Sequence, residues 1–289
     1  MKIQKILYPF LRLKLFFLSV TWPKKCGNYA VTLFSTPPVK FKGRFARIFE
    51  ASEPLSFKLN KVKINGYRIP SHGKNKVLLL HGFCSSIHKF EKLATAFSQN
   101  NYEVLAFDAP AHGISEGKTV NAIEYCNMIQ KINETYGPID CYVAHSFGGL
   151  AVCLALEKIP HSENTVLALI APAAETTTAI KNAFALLKIH SGKIANLMTE
   201  SIIEKTDKTP EWFSIRRAIK NIHSPILWVQ DSEDYITPMT DVDKVINDQP
   251  ANVRFYITHG LGHQKIYRNH KVVEDIVLFS NSILQEKNT

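Results

Sequence analysis

Cysteine is scarce in this 289-residue sequence, and its spacing matches no common disulfide or metal pattern. The five cysteines are odd in number, and none forms a Cys-x-x-Cys pair: Cys26, Cys84, Cys126, Cys141 and Cys153. A disulfide framework and a structural zinc site are therefore both disfavoured, and we expect no metal. A chain of this length can build its core without such cross-links. The pattern favours a reducing compartment, and we expect a cytoplasmic protein.

Acidic residues are nearly absent from the first fifty positions. Residues 1–50 hold ten Lys or Arg and a single acid, Glu50, whereas residues 51–289 hold 25 basic and 24 acidic residues. Of the net charge of +10, +9 therefore belongs to an N-terminal arm, and the rest of the chain is almost neutral. A nucleic-acid-binding body would carry its basic residues on a folded face, so we expect no nucleic-acid partner.

No uncharged run in the arm is long enough to cross a bilayer. Residues 2–22 mix large apolar side chains with bases, and Lys14 interrupts the apolar region, with no A-x-A cleavage site after it. Two interpretations stay open. The segment can lie on an anionic membrane, which would place the protein peripherally on the inner face, or it can pack as an extra helix on the protein's own surface.

Past residue 54, short apolar runs alternate with stretches of helical spacing. This alternation is typical of an α/β protein with a mostly parallel sheet covered on both faces. An Asn65-Gly66 pair within residues 61–70 predicts a hairpin turn that adds antiparallel strands at one edge. The predicted strands are Val77–Leu80, Val104–Phe107, Cys141–Ala144, Val166–Ile170, Ile226–Val229 and Val253–Ile257.

The interval from about residue 172 to 223 breaks this alternation. It holds helical patterns and no strong strand, and it is too long to be a simple loop. We therefore expect a small helical cap at 172–223, a core formed by 51–171 and 224–289, and the arm at 1–50.

A serine directly follows one predicted strand and is followed by helical sequence. Residues 141–149 read CYVAHSFGG, so Ser146 sits at a strand-to-helix turn whose tight approach needs small neighbours. Such a turn presents the hydroxyl outward and aims helix amides at the same place, as a nucleophile requires. A helix N-cap serine is the alternative.

Three further strand ends carry residues that such a nucleophile would need. His81-Gly82-Phe83 follows a strand, and the Phe83 and Phe147 amides together would form a two-donor oxyanion hole. Acids at 231, 233 and 234 follow another strand; we favour Asp234, with Asp231 second, to orient a histidine. His263 follows the last strand in a glycine-rich loop and is favoured over His259. The order Ser146, Asp234, His263 is that of a triad on an α/β sheet.

These segments together resemble a known superfamily. The motifs are LLHGF (79–83), FDAPAHGIS (107–115), AHSFGG (144–149), DSEDYITP (231–238) and GLGH (260–263). Over roughly residues 55–286 the sequence resembles the α/β hydrolases. That resemblance implies the α/β-hydrolase fold, a central mostly parallel sheet flanked by helices with a small helical cap. It also implies structural roles for Asp108 and His112. Alanine at 111 and 144 departs from the usual glycines.

The resemblance implies acyl transfer by Ser146, Asp234 and His263, with Phe83 and Phe147 at the oxyanion and His81 and Gly82 beside the substrate. No cofactor is required. The phenylalanines and the cap favour an apolar acyl pocket, so we expect an esterase or lipase acting on a small-molecule acyl substrate. Thioester hydrolysis, C–C hydrolysis, acyl transfer to another acceptor, and a non-catalytic ligand-binding role remain alternatives.

Overall fold

The computed structural model describes residues 2–38, 40 and 46–285. Lys42 and Arg44, two bases of the expected arm, lie outside the described residues, as do 286–289 at the end of the expected core. Among the helices of the described part, none is long and apolar enough to cross a membrane.

The strands of the described residues form one sheet of eight. Its spatial order is β1-β2-β4-β3-β5-β6-β7-β8, with β3 to β8 parallel and the pairs β1–β2 and β2–β4 antiparallel. The predicted α/β class with a mostly parallel sheet is confirmed. The strands are β1 (Glu53–Leu59), β2 (Val62–Ile69), β3 (Lys76–Leu80), β4 (Glu103–Phe107), β5 (Cys141–His145), β6 (Val166–Ile170), β7 (Ile226–Asp231) and β8 (Val253–Thr258).

The edge hairpin exists, but its predicted turn at Asn65-Gly66 is wrong. β2 runs straight through both residues, and the chain reverses instead at Asn60, which has φ +54°, and Lys61. Gly66 is needed inside the strand because a Cβ there would lie 2.3 Å from the Phe107 ring. A glycine that makes room for a neighbouring strand carries the same sequence signal as a turn glycine.

Both faces of β3 to β7 are buried, as a sheet covered by helices requires, whereas the edge strand β8 is only partly buried. Alternate residues such as Leu79, Ala106 and Val143 belong to one apolar cluster, which also takes in Phe97 and Ile276 from helices on that face. Leu78, Leu105 and their equivalents on the opposite face are also fully buried. Continuous apolar runs therefore form these strands, and the sheet holds its loops at fixed positions.

Helices precede, connect and follow the strands along the chain. They are α1 (Lys2–Thr21), α2 (Pro23–Ser35), α3 (Arg47–Glu50), α4 (Glu91–Gln99), α5 (Ala122–Tyr136), α6 (Phe147–Leu156), α7 (Thr176–Leu187), α8 (Gly192–Thr206), α9 (Ile215–Ala218), α10 (Met239–Asn247), α11 (Gly262–Lys265) and α12 (His270–Gln285). Short 3₁₀ turns span Ile87–Phe90, Pro210–Trp212, Ile219–Asn221 and Ile266–Arg268. The sequence has helical spacing over 265–285, but the helix is interrupted there, since α12 begins only at His270.

The described chain divides into two compact units. One contains the sheet and comprises Pro37–Ala174 and Ile215–Thr289; the other comprises Met1–Thr36 and Glu175–Ser214. In the second unit α1 and α2 pack with α7 and α8 around a small apolar cluster. The arm and the cap, treated as separate segments in the sequence analysis, thus contribute helices to one unit. The expected boundaries at 50, 172 and 223 stay predictions.

Candidate active site

Ser146 occupies a sharp turn between β5 and α6. Its φ and ψ are +54° and −120°, a combination that L-residues rarely adopt and that stores backbone strain. The turn is held from both sides, because the Ser146 amide donates to the Ile170 carbonyl at 3.1 Å and its own carbonyl accepts from Ala173 at 3.0 Å. Both β5 and α6 are almost wholly buried, so the strained residue is fixed by packing.

Two glycines make this turn possible through close approach. A Cβ on Gly82 would lie 2.8 Å from the Ser146 Cβ and 3.3 Å from its Oγ. A Cβ on Gly148, in the first turn of α6, would lie 2.8 Å from the His81 carbonyl oxygen. Real Cβ atoms do not come so near, so glycine at 82 and 148 lets the loop after β3 lie against the serine.

Ser146, His263 and Asp234 form one hydrogen-bonded chain. His263 Nε2 lies 3.1 Å from Ser146 Oγ, and His263 Nδ1 lies 2.7 Å from Asp234 Oδ2. An ionised carboxylate can only accept, so Nδ1–H donates to Asp234 and Nε2 is left to accept the serine proton. The three residues expected from their order in the chain are therefore within reach of one another; their catalytic roles stay predictions.

Asp234 is buried and accepts several hydrogen bonds. Burial by itself would raise its pKa, but the hydrogen bond and charge of His263, together with the amide and hydroxyl of Thr237, hold the pKa below its usual value. The Ile236 amide adds a contact at 2.8 Å to Oδ1. The carboxylate thus stays ionised beside the imidazole and can stabilise its protonated form.

Asp231, the second candidate acid, does not contact the His263 ring. Its Oδ2 accepts from the Thr258 hydroxyl at 2.8 Å and from the Leu261 amide at 3.0 Å. It therefore ties the end of β8 and the following loop to β7. His259, the disfavoured histidine, bonds instead to the exposed Ser232 hydroxyl at 2.7 Å from its Nδ1.

His145, the residue before Ser146, holds the backbone of His263 by a hydrogen bond. Its Nε2–H donates to the His263 carbonyl at 3.0 Å, and its ring lies 4.7 Å from the His263 ring between centroids. Burial, and next the neighbouring His263, lower the pKa of His145 to about 3. It is therefore a neutral donor that holds the His263 backbone in place.

The two predicted oxyanion donors belong to residues near Ser146: Phe147 follows it in the chain, and Phe83 follows Gly82, which lies against the serine. Phe147 is the first residue of α6, so its amide has no acceptor within the helix. The Phe83 amide likewise has no acceptor in the part of the chain described. The next amide, that of Cys84, donates to His112 Nε2 at 3.0 Å, which fixes the loop that presents Phe83. Whether the two amides bind an oxyanion stays a prediction.

His81 is fully buried, and both ring nitrogens are used within the protein. Nε2 accepts from the Ala109 amide at 3.0 Å and Nδ1–H donates to the Gly82 carbonyl at 2.7 Å. Both nitrogens of its side chain are therefore used within the protein, and the predicted place of His81 and Gly82 beside the substrate stays a prediction. Asp108 accepts from the amides of Ile87 and Ile114, both at 3.0 Å, as its expected structural role requires.

Thr237 is the residue that sequence reasoning missed. Its hydroxyl donates to Asp234 Oδ2 at 2.8 Å and lies 3.3 Å from His263 Nδ1. A hydroxyl three residues after a candidate acid is a common local pattern and could have been considered. Among the described residues no cluster of three His, Cys, Asp or Glu side chains could hold a metal ion.

Comparisons with known proteins identify a family and proteins of similar fold. The family model described as "Serine aminopeptidase, S33" matches residues 71–217, which is 147 of the 289 residues. A Mycoplasma genitalium protein named "Putative esterase/lipase 2" is 21% identical over 248 residues, covering 72% of this chain and 90% of that protein.

Two solved structures are similar over most of their length. An esterase from Pyrococcus furiosus has a TM-score of 0.63 at 17% identity and covers 87% of this chain and 98% of its own. A bacterial membrane phospholipase A has a TM-score of 0.63 at 14% identity and covers 98% of this chain and 99% of its own. At such identities the likeness shows the fold alone. Since the family model spans more than half of the sequence, the chain belongs to the serine aminopeptidase (S33) hydrolase family of the α/β-hydrolase superfamily.

Proposed function

We propose that this protein hydrolyses carboxylic esters of apolar acyl groups through an acyl-enzyme on Ser146. Ser146 Oγ attacks the ester carbonyl while His263 Nε2 takes its proton. The Phe83 and Phe147 amides donate to the oxyanion, and collapse of the tetrahedral intermediate expels the alcohol, which takes the proton from His263. Water then gives a proton to His263 and attacks the acyl-serine. The second tetrahedral intermediate collapses, which releases the acid, and Ser146 Oγ takes the proton back from His263.

One observation carries this proposal: the continuous chain from Ser146 Oγ through the imidazole of His263 to Asp234. The 3.1 Å distance suits proton transfer from Ser146 Oγ to His263 Nε2, and the hydrogen bond to Asp234 fixes the tautomer that can accept that proton. Asp234 stays ionised because its hydrogen bonds outweigh the effect of its burial. The imidazolium formed on attack is therefore stabilised when it appears, with no rearrangement of the site.

The apolar acyl preference is supported by two aromatic rings beside the serine. Phe83 and Phe147 are half-buried and meet edge to face, with ring centroids 6.0 Å apart. An apolar chain gains about 0.8 kcal/mol for each methylene that it buries against such surfaces. The relatives named as an esterase/lipase, an esterase and a phospholipase A point to the same bond type.

A fluorophosphonate probe with peptide mapping tests the nucleophile. We expect one phosphonyl adduct, on Ser146, and none on the Ser146→Ala variant. Ser232→Ala is the matched control, because Ser232 is exposed and also lies against a histidine. Labelling at Ser232, or equal labelling of both variants, would rule out the assigned nucleophile.

A panel of p-nitrophenyl esters from acetate to dodecanoate tests the substrate class. We expect kcat/KM to rise with chain length and then level off where the acyl pocket ends. Acyl-CoA thioesters, β-diketones and alcohol acceptors presented to the same enzyme separate the three rival reactions. A labelled Ser146 with no turnover of any substrate would favour the ligand-binding alternative.

Peptide-bond hydrolysis is a second candidate because of the family description itself. The same serine and histidine can cleave an amide when the site binds the substrate's α-ammonium group. Leucine p-nitroanilide and leucine p-nitrophenyl ester form a matched pair for this question. Turnover of the anilide at a rate near that of the ester, lost with a blocked amino group, would identify an aminopeptidase.

A further inference from the structure

Helix α1 exposes an apolar face that nothing in its own unit covers. Five large side chains on this face are between 55% and 69% exposed: Phe10, Leu13, Phe16, Phe17 and Val20. We call this set the α1 stripe. A surface helix ordinarily turns its apolar side to the core and its polar side to water. The α1 stripe is an exception, because these apolar side chains face outward.

The stripe is distinct from the side by which α1 packs. At 100° per residue its members fall within an arc of about 120°. Leu15 and Ser19 lie on the opposite side and are buried, and Leu15 joins Cys26 and Met198 in the unit's apolar cluster. The helix is therefore already anchored by one face and presents a second apolar face to the outside.

Trp22 extends the stripe beyond the end of α1. Its ring is half exposed and meets Phe17 edge to face, with centroids 6.0 Å apart. Lys25 lies over the same indole, with its Nζ 5.0 Å from the centroid. Tryptophan beside a lysine at the edge of an apolar surface is the combination favoured at a membrane–water boundary.

Positive charge borders the stripe, and no acid occurs in residues 1–49. On the helical wheel Arg12 lies next to one margin of the arc and Lys14 next to the other, and both are exposed. Lys14 Nζ rests 4.0 Å from the Tyr29 ring centroid, which holds that charge at the margin. A second copy of this chain would bring like charges together, whereas an anionic surface is complementary.

We propose that the α1 stripe docks into the interface of a lipid bilayer that contains anionic lipids. The five apolar side chains and Trp22 enter the headgroup–acyl boundary, while Arg12, Lys14 and Lys25 meet the phosphates. The docking goes beyond the proposed hydrolysis and does not depend on it. A Ser146→Ala protein is expected to bind vesicles as the wild type does, so the two proposals can fail separately.

Co-sedimentation of the full-length protein with phosphatidylcholine vesicles that contain about 30 mol% phosphatidylglycerol tests the contribution of the apolar side chains to docking. Phe17→Ser is compared with Leu278→Ser, because both side chains are 55% exposed and Leu278 lies on α12 in the other unit. We expect Phe17→Ser to weaken binding about tenfold and Leu13→Ser/Phe17→Ser about a hundredfold, with Leu278→Ser unchanged. Equal binding by Phe17→Ser and Leu278→Ser would overturn the proposal.

Charge is tested with a matched pair of double variants. Arg12→Gln/Lys14→Gln removes the bordering cations, and Lys58→Gln/Lys61→Gln removes two exposed cations from the sheet-containing unit. We expect the first to lose about twentyfold in affinity for anionic vesicles and the second to be unchanged. An identical loss in both would mean that net charge alone drives binding, against the proposal.

Sedimentation velocity without lipid tests the alternative that the α1 stripe binds a second copy of this chain. We expect the wild type and Leu13→Ser/Phe17→Ser to have the same sedimentation coefficient. A wild-type dimer that the double variant converts to a monomer, with no vesicle binding by either, would identify self-association instead. Thermal melting of each variant shows whether a loss of binding reflects unfolding. Any variant with a melting temperature well below that of the wild type is replaced by Val20→Ser.

Discussion

Asp231 holds the loop that carries His263 and leaves the histidine itself to Asp234. Its Oδ2 accepts the Leu261 amide at 3.0 Å, two residues before His263, while Asp234 Oδ2 lies 2.7 Å from the His263 ring. Two carboxylates three positions apart thus separate support of the loop from orientation of the ring. The structure thus distinguishes Asp234 from Asp231, the two acids that the sequence offered for orienting a histidine.

The two acids should respond differently to the same substitution. Asp234→Asn removes the charge opposite the imidazole and favours the wrong tautomer, so we expect kcat on a p-nitrophenyl ester to fall about 10³- to 10⁴-fold with little change in melting temperature. Asp231→Asn should instead cost about 1–3 kcal/mol of unfolding free energy, with a smaller loss of kcat. The opposite pattern would reassign the orienting acid.

Gly82→Ala should damage the reaction without removing any reacting group. The added Cβ would lie 2.8 Å from the Ser146 Cβ and 3.0 Å from His145 Nδ1, so the serine or the loop must shift. We expect kcat/KM to fall at least about tenfold, since small displacements of reacting groups are costly. Gly192→Ala is the control, because nothing lies within 4 Å of a Cβ there. Comparable losses in both variants would contradict the steric explanation.

Thr237 is expected to act as a positioning residue for Asp234. Thr237→Val keeps the shape but removes the hydroxyl that donates to Asp234 Oδ2, so the pKa of the carboxyl should rise. We expect kcat to fall about 3- to 10-fold, with the acid limb of the pH–rate profile displaced upward. Thr237→Ser should restore both. A valine variant with normal kcat and an unmoved profile would show that Thr237 only packs.

Acid should destabilise the fold partly through His112. Burial, and next its neighbour His81, lower the pKa of His112 to about 4, against about 6.5 in an unfolded chain. Between these values the unfolded chain binds a proton that the folded chain does not. The free energy of unfolding should therefore fall as the pH drops from about 6.5 to 4, by up to about 3 kcal/mol for this group.

Urea unfolding at pH 7 and pH 4.5 measures this effect. Gln at position 112 can keep an acceptor for the Cys84 amide and a donor for the Pro110 carbonyl, but it does not titrate. His112→Gln should thus lose less stability between the two pH values than the wild type, whatever its stability at pH 7. Equal losses would mean that the pKa of His112 is the same in the folded and the unfolded chain.

Much of the fold followed from local pattern, and the errors came from residues whose role is set by distant neighbours. The five parallel strands β3 to β7 are almost continuous apolar runs, as burial on both faces of the sheet requires. The Asn65-Gly66 turn was wrong because Phe107, more than forty residues away, needs the space that Gly66 leaves. β1 was missed because an edge strand with one exposed face has a weak apolar pattern.

The order and type of the residues at strand ends were determined by the sequence itself. A serine at a glycine-rich turn, followed by an acid and a histidine after later strands, needs only a parallel sheet to bring the three to one edge. The tertiary structure alone decided which acid meets His263, which buried nitrogens are used up within the protein, and which side of α1 is left apolar and exposed. Each of these depends on a distance or a direction between segments far apart in the chain, and a linear sequence does not record either.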